Sequence, residues 1–263
     1  MPPLLRSSTE NQPNQLYTLD YNDGGDIMQK IGGGNMTIPI MDAERELTDL
    51  LNKKRLCVFV GSGVSVSAPN KFNEYHAAIV NTNYSQILTT NYDTFLDEAA
   101  KHYKHIELCK RIYTYEDADK ISSAIYGRDS SLIHVHGIRM KIPSKEFILT
   151  KDDYKRIKDK NPGFRIIMNT LFMNYSMLLV GYDGSDPHME DIIEDINLSL
   201  GWLDTEFEIG LPTYYIVLHQ DKVSPIIDHI KNRNRTKIIR VESYSDSLEL
   251  IKRLAQKHPR TAR

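Results

Sequence analysis

Leu56-Cys57-Val58-Phe59-Val60-Gly61-Ser62-Gly63-Val64-Ser65 is a run of five apolar residues that ends in a glycine-flanked turn. Five residues are too few for an ordinary helix, and they do not alternate with polar ones. The run therefore predicts a short strand buried on both faces, as in the interior of a parallel sheet. The turn after it brings backbone N–H groups close to whatever lies beyond the strand, because no side chain intervenes at Gly61 or Gly63, and such turns suit phosphate. Taken alone the stretch is ambiguous. A dinucleotide fingerprint asks for a glycine at position 66, where Val66 stands, and the Gly-Lys-Ser/Thr of a P-loop is missing. A plain tight turn between strand and helix accounts for it equally well.

Outward from this strand the same grammar repeats. Further short apolar strands are predicted at 87–90, 132–136, 147–149, 177–182, 214–218 and 237–241. Helices are predicted at 95–103, 166–175 and 189–200, after each of the last two strands, and ahead of the first strand, where Asp42 would cap a helix carrying Leu47, Leu50 and Leu51. Short buried strands alternating with helical segments predict an α/β, Rossmann-like three-layer fold, with a mainly parallel sheet and helices on both faces. Residues 1–40 sustain no such period. They hold Pro2, Pro3, Pro13 and glycines at 24, 25, 32, 33 and 34, and predict a flexible N-terminal arm with a short ordered piece at 27–31, ahead of a folded domain at 41–263.

Composition narrows the function. Thirty-three basic and 35 acidic residues give a net charge of -2, so binding of nucleic acid through bulk charge is not expected. No apolar run reaches the roughly 18 residues of a membrane helix, and the amino-terminal segment does not read as a secretory signal. Two cysteines, Cys57 and Cys109, supply neither a disulfide framework nor a four-cysteine zinc site. The expected setting is cytoplasmic and reduced, with no metal and no membrane.

In open parallel sheets ligands bind beyond the carboxyl ends of the strands. Four polar or glycine-rich clusters fall there: Gly61-Ser62-Gly63, Thr90-Asn91-Tyr92-Asp93, His136-Gly137 and Gly181-Tyr182-Asp183. Each has a bland alternative. Asn91 or Asp93 would serve as a helix cap. His134 and His136 share a strand, where a histidine is usually structural; Gly137 beside it makes His136 the better candidate for moving a proton. Asp186-Pro187 is an ordinary helix start. Together the four clusters predict one convergent site.

In this order, the clusters resemble the Sir2-like family, specifically the prokaryotic Sir2-like NAD-consuming domains of antiviral defence. The resemblance rests on G-S-G-V-S at 61–65, T-T-N-Y-D at 89–93, V-H-G at 135–137, F-I-L-T-K-D-D-Y at 147–154 and V-G-Y-D-G-S-D-P at 180–187, and covers roughly residues 45–255. It implies a catalytic pair Asn91 and His136, with Asp93 near the nicotinamide. It also implies an NAD-binding surface of Gly61, Ser62, Gly63, Val64, Ser65, Thr90, Gly181, Tyr182 and Ser185. There are two departures. Protein-deacetylating sirtuins carry a four-cysteine zinc module and a P-D-F-R segment, whereas this chain has Pro69-Asn70-Lys71-Phe72. That points away from peptide deacylation and toward simple cleavage of NAD. The segment at 66–88 is also shorter than family members place between the two motifs, which implies a more open cofactor pocket.

The expectation is an NAD glycohydrolase that gives nicotinamide and ADP-ribose, acting in antiviral defence and controlled by homo-oligomer formation or a separate sensor protein. The alternative is a Sir2-like module that binds NAD or ADP-ribose without cleaving it, as a sensor or assembly subunit. Intact Asn91, Asp93 and His136 favour the enzyme, and the short 66–88 segment favours the module.

Overall fold

A computed structural model describes residues 20–21, 27–28, 36–66, 70–138, 150–182, 213–218 and 236–261. Besides a two-residue antiparallel pair, β1 (Asp20–Tyr21) with β2 (Ile27–Met28), the described strands form one sheet. Its members are β3 (Met36–Ile38), β4 (Leu56–Val60), β5 (Gln86–Thr89), β6 (Ile112–Thr114), β7 (Ser131–His134), β8 (Ser176–Val180), β9 (Thr213–Leu218) and β10 (Thr236–Val241). They lie in the order β3-β10-β9-β8-β4-β5-β7-β6, and every pairing is parallel.

All five residues of β4 are buried, as a strand covered on both faces requires. Alternation sends its side chains into two layers. Leu56, Val58 and Val60 join a core with Leu47 and Leu51 of α1 (Ile40–Asn52), Tyr75 and Ile79 of α2 (Glu74–Asn81), Ala99 of α3 (Phe95–His102) and Leu250 and Leu254 of α8 (Tyr244–Lys257). Cys57 and Phe59 join the opposite core, with Ile121 of α5 (Ala118–Tyr126) and Phe164, Ile167 and Leu171 of α7 (Pro162–Asn174). The three-layer α/β expectation is thus met. Two further helices, α4 (Ile106–Cys109) and α6 (Lys151–Lys160), complete the described elements.

Several boundaries differ from the sequence reading. The first helix begins at Ile40, not behind an Asp42 cap. Pro39 ends the edge strand in extended backbone and its carbonyl accepts the Ala43 N–H (2.9 Å), which leaves Asp42 in the first turn beside Arg45. All of β3, Met36–Ile38, lies within the stretch read as an arm. The predicted strand at 147–149 and helix at 189–200 lie outside the described residues. Among the described residues no helix is long and apolar enough to cross a membrane.

The sheet order places the site. From β4 the chain moves to β5 on one side, and from β8 it moves to β9 on the other, while β4 and β8 are neighbours in register from Leu56↔Ser176 to Val60↔Val180. The connections therefore diverge between these two strands, and a crevice opens at their carboxyl ends, the usual ligand position in such sheets.

Candidate active site

The residues that follow β4, β5, β7 and β8 meet at these carboxyl ends. After β4, Ser62–Ser65 forms one 3-10 turn. The Gly61 N–H donates to the Val180 carbonyl (2.9 Å) and the Gly63 N–H to the Gly181 carbonyl (2.8 Å), which binds this turn to the loop after β8. The glycines are needed for that contact. A Cβ on Gly61 would sit 2.5 Å from the Gly181 oxygen, and Gly181 itself has φ +66°. Both N–H groups are committed to the protein, so the glycines shape the turn and are not themselves phosphate donors. Val64 is buried, whereas Ser62 is exposed at the mouth. Tyr182 is buried under Gly61 in the second core, and its carbonyl accepts the Tyr215 hydroxyl (2.7 Å).

After β5 the chain turns across the crevice. Thr89 Oγ1 donates to the Val60 carbonyl (2.9 Å) and accepts the Asn91 N–H (3.0 Å), while the Thr90 N–H reaches the same carbonyl at 3.4 Å. Asn91 is thereby fixed, with its Nδ2 donating to the Gly61 carbonyl (3.3 Å) and to Ser65 Oγ (3.5 Å). A carbonyl can only accept, so the amide nitrogen faces the protein and Oδ1 is the atom left to accept from a ligand. Neither Asn91 nor Asp93 is the cap of α3, which is Thr94; Asp93 instead closes an Asx turn one residue earlier, its Oδ1 accepting the Phe95 N–H (3.1 Å), and places Oδ2 3.3 Å from Ser65 Oγ. Burial pushes the Asp93 carboxyl above its ordinary range; the bonds to Phe95 and Ser65 offset this only in part.

His136 lies past the end of β7, in a turn, 2% exposed. The Val135 N–H donates to the Thr89 carbonyl (2.9 Å), and the His136 ring lies 6.0 Å from that of Tyr92, so the β5 and β7 loops run side by side. His134 is different. Its Nε2 is 2.9 Å from Asp97 Oδ2 on α3, its Nδ1 is 3.4 Å from the Asn91 carbonyl, and both partners of the pair are buried. It braces the backbone behind Asn91. His134→Ala strands the Asp97 carboxylate in the core and is expected to lower stability by about 3–5 kcal/mol, measured by chemical denaturation.

The structure thus joins Gly61, Gly63 and Gly181 through the backbone and Ser65, Asn91 and Asp93 through side chains, with His136 alongside. Ser185 lies outside the described residues. Among the described residues no group of three or more His, Cys, Asp or Glu is placed to hold a metal ion.

The sequence reading did not single out two residues, His76 and Asn73. Asn73 caps α2, accepting the Tyr75 and His76 N–H groups on Oδ1 while its Nδ2 donates to the Val64 carbonyl (2.7 Å). His76, fully buried, reaches Ser65 Oγ with Nε2 (3.2 Å). The N-x-x-H spacing of a helix start was the available signal, and it says nothing about Ser65. Burial pushes the His76 imidazole down to about 4. The unfolded chain therefore takes up this proton first. The stability held by neutral His76 is complete above about pH 6.5 and is lost as pH falls toward about 4. Between pH 7 and 5 the expected loss from this residue is about 2 kcal/mol. Urea titrations of the wild type and His76→Gln at both pH values measure it, and the variant should show the shallower loss.

Residues 85–241, more than half of the 263-residue chain, match the SIR2-like domain family. The chain is also similar to Defense-associated sirtuin 2 of Bacillus subtilis, with 27% identity over 132 residues, which is 50% of this chain and 12% of that protein. The chain thus spans only a small part of that relative's length. With an all-parallel sheet, a crevice where its connections diverge, and the glycine turn, Asn91, Asp93 and His136 gathered at its rim, this chain belongs to the SIR2-like domain family.

Proposed function

We propose that the crevice binds NAD as substrate and hydrolyses the bond between nicotinamide and ribose. The observation that carries this reading is the fixed Asn91 carboxamide, whose nitrogen is tied to the Gly61 carbonyl and to Ser65 Oγ, the hydroxyl that also meets Asp93, so that Oδ1 is left to accept from a ligand. Membership in the SIR2-like family supports NAD as the ligand.

The pyridinium of NAD is already a cationic leaving group, so the C1′–N bond can break without an added acid. The transition state carries positive charge on the ribose. Asn91 Oδ1 accepts from a ribose hydroxyl or the attacking water. His136 takes the proton that the water or hydroxyl loses. The Asp93 carboxyl lies against the nicotinamide end and steadies the positive charge. The Ser62–Ser65 turn, with Thr90, Gly181 and Tyr182, shapes the wall for the rest of the dinucleotide. Proton transfer of this kind contributes on the order of 10²–10⁴-fold, and orientation contributes more.

A free-running NAD hydrolase would drain a cofactor its cell needs. Similarity to a defence-associated sirtuin supports a defence role, and the need to restrain the drain on NAD leads us to propose control by homo-oligomer formation or a separate sensor protein. Incubating the purified protein with NAD and separating the products tests the chemistry. Nicotinamide and ADP-ribose in equal amounts are expected. Intact NAD that co-elutes with the protein would instead establish the binding module.

A further inference from the structure

Ser65 Oγ has three polar side-chain partners: Asn91 Nδ2 at 3.5 Å, His76 Nε2 at 3.2 Å and Asp93 Oδ2 at 3.3 Å. A hydroxyl has two lone pairs and one hydrogen, so three partners use it completely. The Asn91 amide nitrogen can only donate. The Ser65 hydrogen therefore goes either to His76 or to Asp93, and the tautomer of His76 decides which.

The far side of the ring fixes that tautomer. The Asn73 backbone N–H donates to His76 Nδ1 at 3.1 Å. Asn73 Oδ1 also lies 2.7 Å from Nδ1, but it already accepts the N–H groups of Tyr75 (3.0 Å) and His76 (3.2 Å), which fill its two lone pairs. Nδ1 is thus an acceptor, and the ring hydrogen sits on Nε2, where it donates to Ser65 Oγ. With Asn91 and His76 both donating to it, Ser65 turns its own hydrogen to Asp93 Oδ2. Asp93 Oδ1 takes the Phe95 N–H (3.1 Å), so each carboxylate oxygen accepts a hydrogen bond and neither needs a proton of its own.

We propose that His76 is a positioning residue for the cleavage of NAD: by donating to Ser65 Oγ it makes Ser65 the donor to Asp93, and so holds the Asn91 carboxamide and the Asp93 carboxylate in one orientation. This rests on the reading of the site as one for NAD. His76 acts through Ser65 and takes no proton from the substrate. The start of α2 is built to hold it. Asn73 Nδ2 donates to the Val64 carbonyl (2.7 Å), which ties the cap of α2 to the turn that carries Ser65. The Phe95 ring meets the imidazole edge-on at 5.6 Å, and His76 is fully buried. An apolar side chain would fill that place without a desolvation cost, whereas a buried imidazole is tolerated only with its nitrogens bonded. Here one nitrogen is bonded to the cap and the other to the site. The opposite tautomer would draw the Ser65 hydrogen to Nε2 and set a lone pair of Ser65 against Asp93 Oδ2, which would push the carboxylate out of place.

Two substitutions separate this role from packing. His76→Leu fills the space and offers no donor, whereas the amide N–H of His76→Gln can still donate to Ser65. Nicotinamide release from NAD should fall on the order of 10²-fold in kcat for His76→Leu, as misplaced groups cost, and stay within about tenfold of the wild type for His76→Gln. Wild-type kcat in His76→Leu, or equal losses in both variants, would overturn the positioning role while leaving NAD cleavage intact; no release by the wild type would overturn the NAD reading itself. A second measurement needs neither turnover nor a folded variant. In ¹⁵N spectra of the wild type at pH 7, His76 should be neutral with its hydrogen on Nε2. A hydrogen on Nδ1 alone would overturn the positioning role, whatever the protein does with NAD.

Discussion

Asn91→Ala and His136→Ala are each expected to abolish nicotinamide release from NAD, with losses on the order of 10²–10⁴-fold, in proteins that remain folded. For Asn91 the expectation follows from how it is held. The Nδ2 bonds to Gly61 and Ser65 serve only to aim Oδ1, so truncation removes the acceptor while the turn after β4 keeps its own bonds to Val180 and Gly181. Asn91→Asp is a sharper control, since a second carboxylate beside the Gly61 carbonyl would be repelled and would no longer point the same way. For His136 the expectation follows from its place on the loop beside β5, within ring contact of Tyr92. Wild-type turnover in both alanine variants would remove these residues from the mechanism. Circular dichroism and thermal melts of the same samples check that each fold survives.

The largest expected effect on stability lies at Gly181. Its φ of +66° is disfavoured for any residue with a side chain, and a Cβ there would lie 2.6 Å from the Val64 N and 2.7 Å from Val64 Cγ1. Neither neighbour can move freely, because Val64 is buried and its backbone is part of the 3-10 turn. Gly181→Ala combines left-handed strain of about 1–2 kcal/mol with overpacking of about 1–3 kcal/mol, for a loss of roughly 2–5 kcal/mol in chemical denaturation. A loss under about 1 kcal/mol would mean that the two loops are not clamped together as described. The clamp also links stability to function, since the turn that carries Ser65 is held by Gly181.

Much of this was legible in the sequence, for identifiable reasons. The strand at 56–60 was readable because five buried apolar residues have few alternatives, and it carries the register for its neighbours. The Asn91 and Asp93 cluster was readable because polar residues directly after buried strands mark the rim of a parallel sheet. Elements with little apolar content were not readable. Helix α6, K-D-D-Y-K-R-I-K-D-K, is almost wholly charged, and β6 is three residues at the sheet edge. The segment at 66–88, read as a shortened cover, contains the crossover helix α2, whose Tyr75, Ile79 and Val80 pack into the core and whose helical period was too short to read. The role of Gly61 and Gly63 was only half legible. Their spacing revealed a tight turn, but the partner loop at Gly181 is 120 and 118 residues away along the chain and could be found only by folding it. His76 escaped for the same reason. Its significance lies in contacts with Ser65 and Asn73, and only the second is local.

A crystal structure of the Asn91→Ala protein grown in NAD tests the central claim most directly, because the slowed variant should retain its substrate. The dinucleotide is predicted across the carboxyl ends of β4 and β8, with the pyrophosphate at the Ser62–Ser65 turn and the nicotinamide ribose between position 91, Asp93 and His136. NAD bound away from this crevice, or a crevice that stays closed at saturating NAD, would contradict the account.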